Sequence, residues 1–195
     1  MSGAALVART TSAEGTRSLA AALAPLARPG DVILLVGGLG AGKTTFAQGF
    51  ARGLGIEGPV TSPTFTLVRQ YRCPPPPTPG PGPVVGQLLH ADVYRLDTLG
   101  EVADLALPEL VEDAAVALVE WGDVAAPVLG DTALWVELAA EGDGEGEPDA
   151  SPGGSGGPGG TEPGRRITVH AEGSAWESRR AELTAALAPY RGEVR

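Results

Sequence analysis

One stretch of the chain has the residue types and spacing of a phosphate-binding loop. Gly37 to Thr44 forms a complete G-x-x-x-x-G-K-[ST] pattern, and Lys43 within it is the only lysine of the chain. In such loops the backbone N–H groups hold phosphates, the compact lysine ammonium reaches the β- and γ-phosphates, and the hydroxyl contacts Mg²⁺. The pattern therefore predicts a site for a nucleoside triphosphate and Mg²⁺, with Lys43 and Thr44 at its centre.

The elements on either side of the loop favour the same interpretation. Val32 to Val36 is an apolar run after a Pro-Gly-Asp turn, which predicts a buried parallel strand. A helix that starts near Lys43 directs its positive N-terminal end at bound phosphates. The alternative is a glycine-rich turn without a ligand, but the complete motif in this context favours phosphate binding. The candidate nucleotide contacts are Gly38, Leu39, Gly40, Ala41, Gly42, Lys43, Thr44 and Thr45.

Two acidic residues and one hydroxyl are candidates for the chemistry. Phosphoryl transfer needs a carboxylate for the metal and a group that orients the attacking oxygen. Asp92 and Glu120 each follow an apolar run, so both are expected at carboxyl ends of strands, where open α/β sheets bind ligands. A surface carboxylate at a strand end is an equally good explanation of either one. Thr64 follows the loop helix in a Ser-Pro segment, where its hydroxyl either reaches the metal or phosphate or belongs to an ordinary turn.

The whole chain, residues 1–195, predicts one P-loop NTPase-like α/β domain with three layers. Its central sheet is expected to be mostly parallel, with antiparallel strands at one side and helices on both faces. Periodicity predicts helices over 13–27, 43–54, 101–113 and 175–190, with Pro108 forcing a break or a helix start in the third. It predicts strands over 32–36, 60–71, 87–92, 114–119, 134–138 and 166–170, the second of which is entered through a Ser-Pro turn.

Two segments interrupt this pattern. Residues 73–86 form a proline-rich loop insertion between two predicted strands. Residues 141–164 are almost wholly Gly, Pro, Ser, Glu, Asp and Thr, which predicts a disordered linker within the domain. We expect this linker to join two strands that pair as an antiparallel hairpin, because closure entropy grows only slowly with loop length.

Composition limits the classes of partner. The net charge of −10 disfavours direct binding to a nucleic-acid backbone, so a link to RNA is expected to run through a partner protein. Cys73 is the only cysteine, which excludes a disulfide framework, and its neighbours Arg72 and Pro74 predict an exposed loop edge. No stretch has the length of a membrane span and no signal core follows the first residues, so the protein is expected to be cytoplasmic.

Four motifs in a fixed order resemble one bacterial family. The phosphate-binding loop with Phe46, the Ser-Pro-Thr-Phe segment 62–65, the His-x-Asp-x-Tyr-Arg segment 90–95 and the Glu-Trp pair 120–121 are similar to the TsaE family, formerly called YjeE. The resemblance covers most of the chain, from the first predicted helix to the strand at Arg166. The chain departs from the family pattern in the two insertions and at Gly38, where the family commonly carries Asp.

The resemblance implies an ATP-hydrolysing protein that acts in the synthesis of threonylcarbamoyladenosine on tRNA. It would join a TsaB–TsaD pair in which TsaD transfers the threonylcarbamoyl group and the partners handle the tRNA. By matching motif, Lys43 and the loop amides would hold phosphates, and Thr44 and Glu120 would hold Mg²⁺. Asp92 and Thr64 would support the metal or the attacking water.

Two further residues take roles from the resemblance. Trp121 is expected to pack near the nucleotide or at the partner interface. Arg165 is expected to contact a phosphate, although the adjacent Arg166 leaves the register of this pair open.

Other nucleotide-binding classes are less compatible with the sequence. A regulatory GTPase reads guanine with an Asn-Lys-x-Asp motif, which a chain without a second lysine does not contain. A small-metabolite kinase shares the loop and the carboxylates, but it normally carries a mobile lid with arginine, whereas the long segment here is Gly, Pro and acid. A nucleotide-dependent binding module with slow hydrolysis remains compatible with all the motifs.

Overall fold

Among the described residues, seven strands form one mixed sheet at the centre of the molecule. The computed structural model describes residues 4–75, 84–96, 98–105, 107–111, 114–129, 132–141 and 164–191. The sheet order is β1-β7-β6-β2-β5-β4-β3. The strands are β1 (Leu6–Thr10), β2 (Val32–Val36), β3 (Val68–Arg72), β4 (Gln87–Asp92), β5 (Ala115–Glu120), β6 (Leu134–Ala140) and β7 (Arg165–Ala171).

The four central strands run parallel and the outer pairs are antiparallel. β2 pairs in parallel with β5 and β6, and β4 pairs in parallel with β5. The pairs β1–β7, β6–β7 and β3–β4 are antiparallel. The predicted fold class is therefore confirmed, except that antiparallel strands lie at both edges and not at one. The antiparallel β6–β7 pair also confirms the expected hairpin.

Helices cover both faces of the sheet. They are α1 (Ala13–Leu23), α2 (Lys43–Gly53), α3 (Leu99–Ala103), α4 (Leu107–Val111), α5 (Gly122–Leu129), α6 (Gly173–Glu177) and α7 (Arg180–Leu187). One buried cluster joins α1, α2 and α7 to one face, with Phe46, Phe50 and Trp176 among its largest side chains. A second cluster packs α3, α4 and α5 on the opposite face, around Leu34 and Leu89. The alternating β pattern and the apolar helix stripes thus produce the predicted three layers.

The strand expected over 60–71 is shorter than predicted and follows a turn at Pro63. β3 begins only at Val68, because the carbonyl of Pro63 accepts hydrogen bonds from the backbone N–H groups of Thr66 and Leu67. Leu67 also has a positive φ of 62°, which an extended strand does not allow. The expected Ser-Pro turn and the strand after it are both present, but the turn extends further than predicted, because β-branched and aromatic residues in 60–67 were counted as strand formers.

Two elements were not predicted, and the closing helix was predicted as one helix where the structure has two. β1 has the burial pattern of a half-exposed strand, but its alternation is short. α5 carries Pro127 and was also missed. The closing helix predicted over 175–190 is two helices, α6 and α7, followed by a 3₁₀ turn. The helical segment predicted over 101–113 is divided into α3 and α4, which confirms the break or helix start expected at Pro108. Pro108 lies in the first turn of α4, where a missing N–H costs nothing.

Cys73 is buried, which contradicts the exposed loop edge predicted from its neighbours. Its backbone N–H donates to the Gly86 carbonyl at 2.9 Å, so the chain stays beside β4 after β3 has ended. Burial raises the pKa of the Cys73 thiol to about 11. The thiol therefore packs in the core as a small apolar group.

Much of both predicted insertions lies outside the described residues. This applies to 76–83 of the proline-rich segment and to 142–163 of the Gly-rich segment. In the part of the chain that is described, no helix combines the length and the apolar character needed to cross a bilayer.

Candidate functional site

The phosphate-binding loop connects β2 to α2, as predicted. Gly37, Gly40 and Gly42 all have positive φ, at 147°, 80° and 108°, a region that glycine enters without a steric penalty. Close contacts restrict two of these positions further. A Cβ on Gly37 would lie 2.3 Å from the carbonyl oxygen of Leu138, and one on Gly42 would lie 2.8 Å from Nε of Arg165. The glycine spacing of the motif therefore reflects both backbone conformation and lack of space.

Lys43 lies inside the curve of the loop. Its Nζ donates hydrogen bonds to the carbonyl oxygens of Gly37 at 2.6 Å and Gly38 at 2.9 Å. The same ammonium is 3.7 Å from the ring centroid of Trp121, in a cation–π contact. Burial lowers the pKa of Lys43, and the nearby negative charges, above all that of Glu120, oppose this shift. The ammonium is thus held at the loop by carbonyls and an aromatic face.

Glu120 is at the end of β5 and contacts the first turn of α2. The Thr44 hydroxyl donates to its two carboxylate oxygens at 2.9 and 3.0 Å. His90 Nε2 is 2.9 Å from Glu120 Oε1, and both side chains are buried. The strand-end carboxylate predicted from sequence therefore faces the hydroxyl of the phosphate-binding motif. Its contact with His90 was not anticipated.

Asp92 is at the end of β4, directly beside Glu120 in the strand register. Its Oδ2 accepts hydrogen bonds from the hydroxyls of Ser62 at 2.6 Å and Thr64 at 2.5 Å. Its Oδ1 accepts the backbone N–H of Tyr94 at 3.0 Å. Asp92 is thereby fixed at both oxygens, and the Ser-Pro turn brings Thr64 to the candidate site, as the sequence analysis considered.

One cavity of about 370 Å³ joins most of the predicted residues. It is lined by Leu39, Gly40, Gly42, Lys43, Thr44, Thr45, Ser62, Thr64, Asp92, Tyr94, Glu120 and Trp121. Gly38 and Ala41 instead line a larger groove of about 540 Å³ on the other side of the loop, against β6 and β7. That groove contains neither Lys43 nor the two carboxylates, so the first cavity is the candidate site.

Arg165 and Arg166 lie on opposite faces of β7. The side chain of Arg165 lies against Gly42, and its Nη1 is buried without a hydrogen-bond partner among the described residues. Arg166 is exposed and lines the larger groove. Strand alternation thus separates the two candidates, and only Arg165 lies at the N-terminus of α2.

Trp121 has an unusual backbone conformation directly after Glu120. Its φ of 62° is in the left-handed region, which is uncommon for a residue with a large side chain. Its ring contacts Lys43 and packs on Tyr94 with 4.8 Å between centroids. Strain of this kind is frequent at functional sites, and here it turns the indole toward the loop.

The oxygen donors in the cavity suit Mg²⁺. This ion prefers hard oxygen ligands and usually combines one or two carboxylates with phosphate oxygens and water. Thr44, Asp92 and Glu120 offer one hydroxyl and two carboxylates on one side of the cavity. No group of three or more His, Cys, Asp or Glu side chains that could hold a metal occurs in the described ranges. The donor set therefore fits a metal that is shared with a phosphate ligand.

His90, Ser62 and Tyr94 are site residues for which sequence reasoning gave no individual role. One signal was present, because His90 and Asp92 are two positions apart on a strand and must point to the same face. Their partners depend on strand pairing and on the turn at Pro63, which no local pattern specifies.

One protein-family model matches most of the chain. The model of the family described as Threonylcarbamoyl adenosine biosynthesis protein TsaE matches residues 10–147. The tRNA threonylcarbamoyladenosine biosynthesis protein TsaE of Bacillus subtilis is 42% identical over 139 residues, which are 71% of this chain and 80% of that protein. The protein of the same name from Treponema pallidum is 37% identical over 138 residues, 70% of this chain and 93% of its own length.

A solved structure is similar over nearly the whole chain. The crystal structure of Bacillus subtilis YdiB superposes with a TM-score of 0.66 at 33% sequence identity. The alignment covers 95% of this chain and 97% of YdiB. The central sheet and the loop described above therefore belong to a known architecture.

Proposed function

Because this chain belongs to the TsaE family, we propose that it is the Mg²⁺-dependent ATPase component of tRNA N6-threonylcarbamoyladenosine synthesis. The observation that carries the proposal is the convergence of Lys43, Thr44 and two strand-end carboxylates, Asp92 and Glu120, on one cavity. This is the set of groups that phosphoryl transfer from ATP requires. The family name supports the biological process, and the cavity supports the chemistry.

The loop residues account for binding of the triphosphate. The N–H groups at the start of α2 and the ammonium of Lys43 would contact the phosphates. Lys43 already lies between the loop carbonyls and Trp121, so its ammonium reaches a phosphate without a large movement of the chain. Arg165, with its unpartnered Nη1 beside Gly42, is proposed as a further phosphate contact.

The carboxylates account for the chemical step. Thr44 and Glu120 would hold Mg²⁺, which when bound neutralises the charge of the phosphate oxygens. Asp92 accepts hydrogen bonds from Ser62 and Thr64, so its orientation is fixed before any substrate arrives. In the proposed reaction Asp92 and Thr64 orient the water that attacks the γ-phosphate. The Thr44 hydroxyl keeps Glu120 directed at the start of α2.

The proposal includes a TsaB–TsaD pair as the partner. We propose that the ATPase cycle acts on this pair and that TsaD transfers the threonylcarbamoyl group. Contact with tRNA would be indirect, which is consistent with a net charge of −10. The proposal also includes a cytoplasmic location, where tRNA substrates are modified. Slow hydrolysis in isolation is expected if the partners complete the site.

A direct test measures phosphate release from Mg·ATP by the purified chain, alone and with a TsaB–TsaD pair. We expect hydrolysis that requires Mg²⁺ and Lys43, together with capture of the chain by the pair in the presence of ATP. Absence of nucleotide binding in the wild-type protein would reject the ATPase assignment. Transfer of the γ-phosphate to a small metabolite would support the kinase alternative instead.

A further inference from the structure

We propose that His90 is a positioning residue that fixes the carboxylate of Glu120 for its contact with Thr44 and the metal. The inference rests on the proposed function of the site, and it adds a residue to which that function gives no role. His90 Nε2 is 2.9 Å from Glu120 Oε1, and this is the single hydrogen bond of the imidazole among the described residues. The bond therefore links His90 to the site and to no other polar group.

The register of β4 against β5 brings His90 and Glu120 close together. His90 is opposite Leu118, and Asp92 is opposite Glu120, in the parallel pair of β4 and β5. His90 and Glu120 are therefore diagonal neighbours on one face of the sheet, within reach of each other's side chains. The carboxylate of Glu120 contacts the imidazole of His90 on one side and the Thr44 hydroxyl of α2 on the other.

The neighbours of His90 toward the core, on β4 and β5, are apolar. The equivalent positions Leu88 and Leu118 on the same face are fully buried in the core, and His90 is also 0% exposed. An apolar residue such as leucine would therefore be expected at position 90. Burial of a polar imidazole costs free energy unless a hydrogen bond compensates it, and the one bond present goes to the carboxylate at the cavity.

The hydrogen bond defines the tautomer. An ionised carboxylate only accepts, so with Glu120 in that form Nε2 of His90 carries the hydrogen and donates it to Glu120. Nδ1 is buried and has no partner in the described part of the chain. Oε1 of Glu120 is thus held by His90 and Thr44 together, while Oε2 accepts from the Thr44 hydroxyl. Such outer hydrogen bonds orient metal-binding side chains.

The first experiment uses nitrogen NMR of the two histidines, without metal or nucleotide. We expect His90 to carry its hydrogen on Nε2, and we expect this signal to shift in Glu120→Gln. The matched control is Glu137→Gln, which should leave the His90 signal unchanged, because Glu137 is 3.6 Å from the other histidine, His170. A hydrogen on Nδ1 of His90, or a His90 signal that does not respond to Glu120→Gln, would overturn the proposal.

The second experiment compares His90→Leu with His90→Gln. Leucine fills the space without a donor, whereas glutamine offers an N–H near the position of Nε2. We expect His90→Leu to lower turnover or apparent Mg²⁺ affinity by about 10- to 100-fold, with KM for ATP little changed, and His90→Gln to recover most of the loss. His170→Gln is the control and should match the wild type.

Two outcomes of the second experiment contradict the proposal: wild-type turnover in His90→Leu, or a glutamine variant no better than the leucine variant. If His90→Leu does not fold, the glutamine variant and the NMR measurement on the wild type still decide. If the wild-type protein does not hydrolyse ATP at all, the proposed function fails, and the NMR result separately tests the contact between His90 and Glu120.

Discussion

Two buried clusters of charge lie near the two ends of β2, and they differ in how completely their polar atoms are paired. Before the strand, Asp31 meets Arg179 in a two-point ion pair, with N–O distances of 2.6 and 2.7 Å. After the strand, the loop leads to Lys43, whose neighbours are the carboxylates of the cavity. The same strand thus separates a closed charge cluster from an open one.

The two charged side chains of the cluster at Asp31 are paired with each other and with backbone groups. Arg179 also donates to the carbonyls of Leu26 at 2.6 Å and Ala175 at 2.9 Å, and its guanidinium lies 3.8 Å from the Trp176 ring. Both charged side chains are nearly inaccessible to solvent. This pairing of the two charges joins α6 and the residues before α7 to the start of β2, which is a structural role. The neighbouring Nε1 of Trp176 is buried without a hydrogen-bond partner among the described residues, but Trp176 does not line the cavity that holds the carboxylates.

The cluster at the cavity keeps unpaired polar atoms and a strained backbone. Arg165 Nη1 and His90 Nδ1 are buried without partners in the described ranges, and Trp121 has a positive φ. Buried polar atoms are normally paired, so exceptions need an explanation such as a ligand or a catalytic role. The difference teaches that burial of charge alone does not identify a site. Incomplete pairing around a cavity is the more informative feature.

The largest effect is expected from breaking the closed cluster. Asp31→Ala leaves the guanidinium of Arg179 buried without its anion, which should lower the free energy of unfolding by about 3–5 kcal/mol. Urea denaturation measures this loss. The matched control is Glu14→Ala, because Glu14 forms exposed ion pairs with Arg52 and Arg17 and should change stability very little. Equal losses in both variants would contradict the distinction.

Lys43→Ala should leave the fold intact and remove function. Loss of the ammonium is expected to lower Mg·ATP turnover by about 100- to 1000-fold, the range for deleting one charge-stabilising donor. Calorimetric titration and a melting curve would separate binding from stability. Lys43→Arg tests whether charge alone suffices, and we expect it to stay impaired because the guanidinium is larger and planar. Wild-type turnover in Lys43→Ala would refute the role of the ammonium.

Glu120→Gln should reduce hydrolysis by about 10- to 100-fold at low Mg²⁺, since the neutral amide is a poorer ligand for the ion. Phosphate release as a function of Mg²⁺ concentration is the measurement. Asp92→Asn is the companion variant, because the two carboxylates are neighbours in register. A normal Mg²⁺ dependence in Glu120→Gln together with a strong defect in Asp92→Asn would transfer the metal role to Asp92.

Arg165→Ala should have the smallest effect of the four. Its Nη1 has no partner in the described structure, so removal should cost little stability but weaken ATP binding by about tenfold, as expected for one hydrogen bond to a charged group. Arg166→Ala is the matched control on the opposite face of β7. If both variants bind ATP equally well, Arg165 is not a phosphate contact.

The sequence was informative where local pattern determines structure. The loop from Gly37 to Thr44 was predictable because its glycines, lysine and hydroxyl are adjacent in the chain. The strand-end positions of Asp92 and Glu120 were predictable because apolar runs precede them. The closed cluster was not, since Asp31 and Arg179 look like ordinary surface charges until α6 and α7 pack against the sheet.

Contacts between strands were beyond local reasoning. The hydrogen bond from His90 to Glu120 depends on the register of β4 against β5, which no pattern within either strand specifies. The choice between Arg165 and Arg166 needed only the starting position of β7, because alternate residues face opposite sides. Cys73 was misjudged because its immediate neighbours are polar or Pro, whereas its burial follows from pairing with Gly86.

The Asp31–Arg179 pair also has a consequence for synthesis of the protein, because its members are 148 residues apart. Domains emerge from the ribosome with their N-terminal part first. The nascent chain therefore exposes the complete phosphate-binding loop long before the arginine that neutralises Asp31 has been made. A chain released before residue 179 would keep an unpaired acid at the start of its central strand, and we expect quality-control proteases to remove it.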